Sequence, residues 1–191
     1  METTLNRYEV HITIKLDVWC AIEAKKQLAD MIAAGFKVTF IELSSGEFPR
    51  QVMLTYYTLK GSIADVIEDY NKRLSAIVIV RVKIEVGASS VPAEYLPKSG
   101  QYYEFHLLVE TVDPVCLDHS VKCIDKDLRV SRSPFKRSDH FFITLRDFTQ
   151  TRSEAIERID RILARIDLPV LKLERELVVY DSNISIDRGW L

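Results

Sequence analysis

Two histidines occupy equivalent places in two similar stretches of the chain. Residues 8–12 read Tyr-Glu-Val-His-Ile, and residues 103–107, which lie 95 positions further on, read Tyr-Glu-Phe-His-Leu. Imidazole titrates near neutral pH and can both donate and accept a proton, so a pair of histidines suits general acid–base catalysis. His11 and His106 are therefore the first candidates for chemistry.

Further polar residues fall on the same predicted sheet faces as the histidines. A Lys-x-Glu triplet occurs twice, 89 positions apart, as Lys83-Ile84-Glu85 and as Lys172-Leu173-Glu174. Alternation along a strand directs every second side chain to one face, and these faces are too polar for an ordinary core. The candidate catalytic residues are His11, His106, Thr13 and Thr144, and the candidate ligand-binding residues are Lys83, Glu85, Lys172, Glu174, Tyr57, Arg146 and His140.

The tripeptide His11-Ile12-Thr13 lies on a predicted central strand, and a histidine recurs once in the second half of the duplicated chain. This pattern resembles the 2H phosphoesterase superfamily. The resemblance implies that His11 and His106 act as general acid and base on a cyclic phosphate or an RNA end, while threonine hydroxyls hold the phosphate. The second half lacks the hydroxyl two residues after its histidine, so Thr144 on the neighbouring strand would have to supply it.

Another interpretation takes one histidine and one glutamate from each half: His11, His106, Glu85 and Glu174. Such a set could hold a divalent metal, and it is similar to the arrangement in glyoxalase-type vicinal-oxygen-chelate proteins. The second predicted helix of the repeat argues against that family, and Lys83 and Lys172 on the same faces would oppose a cation. We therefore predict no metal. The sequence also has no glycine-rich phosphate loop and no dinucleotide fingerprint, so we predict no cofactor.

The composition is that of a globular protein, with 47% hydrophobic and 28% charged residues among 191. The formal net charge of -2 gives no reason to expect bulk nucleic-acid binding or a polybasic membrane contact. No apolar run approaches the ~18 residues of a spanning helix, and the first residues lack a signal-peptide pattern. An odd number of cysteines, Cys20, Cys116 and Cys123, favours reduced thiols. We expect a cytoplasmic protein.

Each half has the same order of predicted elements. The first half has strands at 7–16, 36–43, 51–59 and 77–86 with helices at 21–34 and 63–75. The second has strands at 102–110, 127–132, 140–147 and 168–179 with helices after Pro114 and at 152–166. Ser62 followed by Asp65 predicts a capping box. The order βαββαβ predicts an α+β fold made of a tandem duplication of a ferredoxin-like unit, with two antiparallel four-stranded sheets that each carry helices on one face.

The predicted domains are residues 1–88 and 101–181, separated by a linker at 89–100 and followed by a tail at 182–191. The tail ends on Trp190 and Leu191, and we expect these two side chains to dock in a groove of this chain or of a partner subunit. Two sheets with one open face each could pack on each other or extend into one continuous sheet. The strand pattern leaves both arrangements open.

Three functions remain open. The first is binding of a small anionic or phosphorylated ligand in a cleft between the repeats, which Lys83, Lys172, Arg146 and the basic segment 129–137 favour. The second is the phosphoesterase activity that the 2H resemblance implies, in which case the protein is a hydrolase. The third is an assembly module without small-molecule chemistry, which would form a homo-oligomer through a sheet face or the Trp190 tail.

Overall fold

The computed structural model describes residues 7–15, 22–59, 61–75, 77–111, 113–134 and 137–190. The strands are β1 (Tyr8–Ile14), β2 (Lys37–Leu43), β3 (Arg50–Thr58), β4 (Ile79–Gly87), β5 (Tyr102–Glu110), β6 (Arg129–Arg132), β7 (His140–Asp147) and β8 (Val170–Asp181). The helices are α1 (Ile22–Ala33), α2 (Ile63–Arg73), α3 (Pro114–Ile124) and α4 (Arg152–Leu163). Short 3-10 helices lie at Ala88–Ser90 and Ile184–Asp187.

Two of the helices begin at a capping box. At the start of α2 the Ser62 hydroxyl accepts from the backbone N–H of Asp65, and the Asp65 carboxylate accepts from the Ser62 N–H at 3.0 Å. Thr151 and Glu154 form the same pair of contacts before α4. Because these contacts satisfy N–H groups that have no partner within the helix, they specify where each helix starts.

The eight strands form one closed antiparallel barrel in the order β1-β3-β2-β6-β7-β5-β8-β4. The prediction of two separate four-stranded sheets is therefore wrong. One seam joins β4 to β8 from Lys83 to Gly87, and the other joins β2 to β6 at Glu42 and Leu43. Two separate sheets would leave four strand edges with unpaired N–H and C=O groups. Closure pairs these edges, which is the physical reason for the barrel.

Two apolar cores lie on the outer surface of the barrel, beneath the helices. In the first half Ile12 and Leu54 of the barrel pack in one cluster with Val66 of α2. In the second half Leu107 packs in one cluster with Ile159 of α4. Since the helices cover the outer surface, the faces that the strand pattern left open line the barrel interior.

The C-terminal tail crosses one end of the barrel. Trp190 is only 5% exposed, and its indole N–H donates to the carbonyl oxygen of Val130 at 2.9 Å. Gly46 in the β2–β3 turn has φ +110°, and a Cβ on it would lie 3.2 Å from Cβ of Trp190, so the tail can approach this closely because residue 46 is glycine. Trp190 thus docks against its own chain. Leu191 lies outside the described residues.

Within the described ranges, no helix is both long enough and apolar enough to cross a bilayer. Cys116 and Cys123, both in α3, are exposed free thiols. The third cysteine, Cys20, lies outside the described residues.

Candidate functional site

The barrel encloses a cavity of about 240 Å³. Polar side chains from the strands and from the tail form much of its wall. The sequence-predicted residues that line it are His11, Thr13, Tyr57, Lys83, His106, Thr144, Arg146, Lys172 and Glu174. Glu85 belongs to the same cluster because its carboxylate contacts His11 and Lys83.

His11 is held between a hydroxyl and a carboxylate. The strand β1 lies between β3 and β4, and the register places His11 opposite Thr55 on one side and Lys83 on the other. Its Nδ1 lies 2.8 Å from Oγ1 of Thr55, and its Nε2 lies 2.7 Å from a carboxylate oxygen of Glu85. The other Glu85 oxygen lies 2.7 Å from Nζ of Lys83. Thr13 lines the cavity, but the hydroxyl on the imidazole belongs to Thr55.

His106 has a similar environment in the second half. Its Nδ1 lies 2.9 Å from Oγ1 of Thr144, which is opposite His106 in the β5–β7 register. Its Nε2 lies 3.2 Å from the carboxylate of Glu104. The repeat pattern singles out Glu174 for this half, yet Glu174 pairs with Lys172, whose side chain is 61% exposed. The carboxylate on His106 therefore comes from a different position than the carboxylate on His11.

Lys83 connects the two histidine clusters, because its ammonium group ion-pairs with both Glu85 and Glu104. Burial opposes ionisation of Glu85, but Lys83 and His11 outweigh it and lower its pKa to about 2. Burial likewise opposes ionisation of Glu104, and Arg146 and Lys83 hold its pKa well below the usual range. The pKa of Lys83 is raised, since the two glutamates outweigh its burial. All three groups are charged at neutral pH.

A second ion-pair cluster lies where the tail meets the barrel. The carboxylate of Asp187 accepts from Nη1 of Arg81 at 2.8 Å, from Nη2 of Arg146 at 2.8 Å and from the amide of Gln51 at 3.0 Å. Arg81 also pairs with Asp181 at 2.5 Å. Burial opposes ionisation of Asp187, but Arg146 and Arg81 lower its pKa. Sequence reasoning missed Asp187, since a single acid in an aperiodic tail carries no positional signal.

Glu176 of β8 differs from the other acids. It lines the cavity, is partly buried and forms no hydrogen bond within the described ranges. Burial, together with the negative charges of Glu85, Glu104 and Glu9, raises its pKa to about 9, while Lys83 acts in the opposite direction. Glu176 therefore holds a proton at neutral pH, when the neighbouring glutamates Glu85 and Glu104 are ionised.

The cluster around the histidines is already occupied by a cation, because the ammonium group of Lys83 lies at the point where Glu85 and Glu104 converge. In the part of the chain that the structure describes, one group has the spacing of metal ligands: Glu110, Asp139 and His140, with ligand atoms within 4.8 Å of one another. Arg137 pairs with Glu110 at 3.1 Å and with Asp139 at 2.7 Å, so these acids already have a cation. His140 belongs to this cluster and does not line the cavity.

Within the described residues, the arginines of the basic segment 129–137 already have partners in this chain. Arg129 donates to the carbonyl oxygens of Lys126 and Leu128, and Arg132 pairs with Glu42 at 2.7 Å. Lys136 lies outside the described residues. At the cavity wall Tyr57 is 51% exposed, and burial and a hydrogen bond with Glu9 raise its pKa to about 12. Tyr57 is therefore a neutral hydrogen-bonding group.

No protein-family model matches the chain, and no curated protein matches it. Solved structures give weak likenesses. The regulatory subunit of aspartate kinase from Thermus thermophilus, in its ligand-free form, has 10% identity and a TM-score of 0.34, with 85% of this chain and 94% of that chain covered. An anthrone oxidase-like protein has 9% identity and a TM-score of 0.30, with 94% and 93% covered. A mutant chlorite dismutase from Candidatus Nitrospira defluvii has 11% identity and a TM-score of 0.31, with 92% of each chain covered. At these scores the likenesses say nothing about what this chain binds.

Proposed function

We propose that the protein binds a small ligand with an acidic group, a carboxylate or a phosphate, inside the barrel. One nitrogen of Arg146 supports this proposal. The Arg146 side chain is 5% exposed, its Nε donates to Glu104 at 2.5 Å, and its Nη2 donates to Asp187 at 2.8 Å. Nη1 is buried and has no hydrogen-bond partner among the described residues. A buried donor without an acceptor is unfavourable by about 1–3 kcal/mol, and an oxygen of an acidic ligand would supply the acceptor.

The size of the cavity limits the ligand. The cavity volume is about 240 Å³. This is below the 300–1,000 Å³ or so that drug-sized ligands occupy. A metabolite with a short carbon chain fits this volume better than a nucleotide or an RNA end.

Isothermal titration calorimetry tests the proposal, with inorganic phosphate, the dicarboxylates malonate, succinate and glutarate, and the amino acids β-alanine, γ-aminobutyrate and δ-aminovalerate as probes. At least one probe should bind the wild-type protein, and Arg146→Lys should weaken that binding about tenfold or more, since lysine keeps the charge but loses Nη1. Arg175→Gln is the matched control, because Arg175 pairs with Asp160 away from the cavity and is 41% exposed. Failure of every probe to bind the wild-type protein, or equal binding by Arg146→Lys, contradicts the proposal.

The two other functions stay predictions, and no observation favours either. Nε2 of both His11 and His106 lies against a carboxylate, which would repel the phosphate of a 2H-type substrate. For an assembly module, the Trp190 side chain that would serve as an interface is buried within its own chain.

A further inference from the structure

The interior ion-pair network has more carboxylates than cations. Within the described ranges its cations are Arg81, Lys83 and Arg146, and its carboxylates are Glu85, Glu104, Glu176, Asp181 and Asp187. Arg81 pairs with Asp181 and Asp187, while Arg146 is shared between Asp187 and Glu104. With Glu176 protonated, these three cations face four ionised carboxylates, so the network carries one excess negative charge when it holds no ligand.

Strand pairing places Glu176 and Arg146, whose Nη1 has no hydrogen-bond partner among the described residues, in one row of the cavity wall. Arg146 of β7 lies opposite Glu104 of β5, and Glu104 lies opposite Glu176 of β8. Cβ atoms of directly opposite residues are about 5 Å apart, so the Cβ atoms of Arg146 and Glu176 are about 10 Å apart. Both side chains line the same cavity. A short molecule can therefore contact both.

We propose that the ligand is a small zwitterion whose ammonium group ion-pairs with Glu176 while its acidic group accepts from Nη1 of Arg146. This inference rests on the proposed function and specifies the class of ligand. A second acidic group at Glu176 would add like charge to the wall that Glu85 and Glu104 already make negative. An ammonium group instead places a cation directly on Glu176, and its N–H groups give Glu176 the hydrogen bonds that the described residues do not provide.

The charged groups around Glu176 determine what happens to its proton. Glu9, Glu85 and Glu104 favour the protonated form, and Lys83 favours the ionised form. Lys172 also lies within electrostatic range. When an ammonium group arrives, it becomes a further nearby cation and favours ionisation of Glu176. The proton then leaves to the buffer while the ligand nitrogen stays charged, so binding releases up to one proton per ligand.

The experiment compares two series of probes and one diamine by calorimetry. The amino acids are β-alanine, γ-aminobutyrate and δ-aminovalerate, and the dicarboxylates of equal carbon number are malonate, succinate and glutarate. The diamine is putrescine. Titrations near pH 8 in two buffers with different ionisation enthalpies give the number of protons released. We expect one amino acid to bind about tenfold or more tightly than the dicarboxylate of equal carbon number. We also expect that amino acid to release a proton and the dicarboxylate to release none.

Glu176→Gln should weaken binding of that amino acid about tenfold and abolish the proton release, because glutamine carries no charge and no titrating proton. Binding of the dicarboxylates should be unchanged or tighter. The comparison variant is Glu174→Gln, on the same strand and on the same cavity, whose carboxylate already has Lys172 as a partner. If Glu174→Gln abolishes the release and Glu176→Gln does not, the assignment of the cation to Glu176 is overturned.

The outcomes separate this inference from the proposed function. Binding of dicarboxylates at least as tight as that of the amino acids, without proton release, overturns the zwitterion and leaves the proposed function standing. Binding of putrescine alone, insensitive to Arg146→Lys, overturns both the acidic group and the zwitterion. Absence of binding by every probe contradicts both proposals.

Discussion

Lys83 of β4 forms an ion pair with Glu104 of β5, although β8 lies between these two strands in the barrel. Each residue belongs to a different half of the chain, so the contact depends on the β4–β8 seam that joins the two halves. The same ammonium group lies 2.7 Å from Glu85. Lys83 therefore neutralises carboxylates from both halves of the chain.

Lys83→Met should destabilise the protein by about 3–5 kcal/mol at neutral pH, because it leaves two buried carboxylates without their shared cation. The free energy of unfolding from urea denaturation measures this. Because the pKa values of Glu85 and Glu104 are lowered, these groups stabilise the folded state at pH values above the ordinary glutamate pKa. That contribution to the free energy of unfolding is lost as the pH falls below this value. The loss caused by Lys83→Met should therefore shrink towards acid pH. Lys172→Met, at a 61% exposed position, should change stability by no more than about 0.5 kcal/mol.

Glu176→Gln should stabilise the ligand-free protein, and the gain should increase with pH. The folded protein binds a proton on Glu176 up to a pKa of about 9, whereas the unfolded chain loses it near the ordinary value of 4.5. Between these values the folded state holds more protons, so this group makes stability fall with rising pH, by up to about 1.4 kcal/mol per unit. Glutamine removes that slope. Urea denaturation at pH 5, 7 and 9 checks it, and parallel pH profiles of the two proteins would count against a raised pKa.

Asp187→Asn should destabilise the protein by about 3–5 kcal/mol, since Arg81 and Arg146 would then share a neutral amide in a buried position. The control is Asp160→Asn. Asp160 is 54% exposed and pairs with Arg175, so its loss should be worth about 0.2–1 kcal/mol. Chemical denaturation of both variants gives the comparison. Equal effects at the two positions would mean that the tail carboxylate contributes no more than a surface ion pair.

The phosphoesterase alternative has a direct assay, the hydrolysis of a nucleoside cyclic phosphate. We expect no turnover above the buffer rate, because Nε2 of each imidazole contacts a carboxylate at the position where a phosphate oxygen would have to bind. Turnover that His11→Ala and His106→Ala each abolish, with Cys123→Ala as an exposed control on α3, would instead establish 2H-type chemistry.

Several features of the site could be predicted from the sequence because they depend on local geometry. Alternation along a strand decides which side chains share a face, so the strand pattern alone is enough to group His11, Lys83 and Glu85. The pairing of His106 with Thr144 follows from the same rule applied to adjacent strands. His140 shows the limit of that rule, since the correct face at the end of β7 does not place a residue in the cavity.

Closure of the barrel, the Lys83–Glu104 ion pair and the position of Asp187 were decided by the tertiary structure alone. Alternation shows that one face of each half is polar, but it contains no information about which strand edges meet across the two halves. That choice depends on pairing between residues distant in sequence, such as Lys83 with Asp181. Once the edges are paired, the two polar faces line one interior. Solvent has little access there, so the electrostatic interactions between its charged groups are stronger than at the surface.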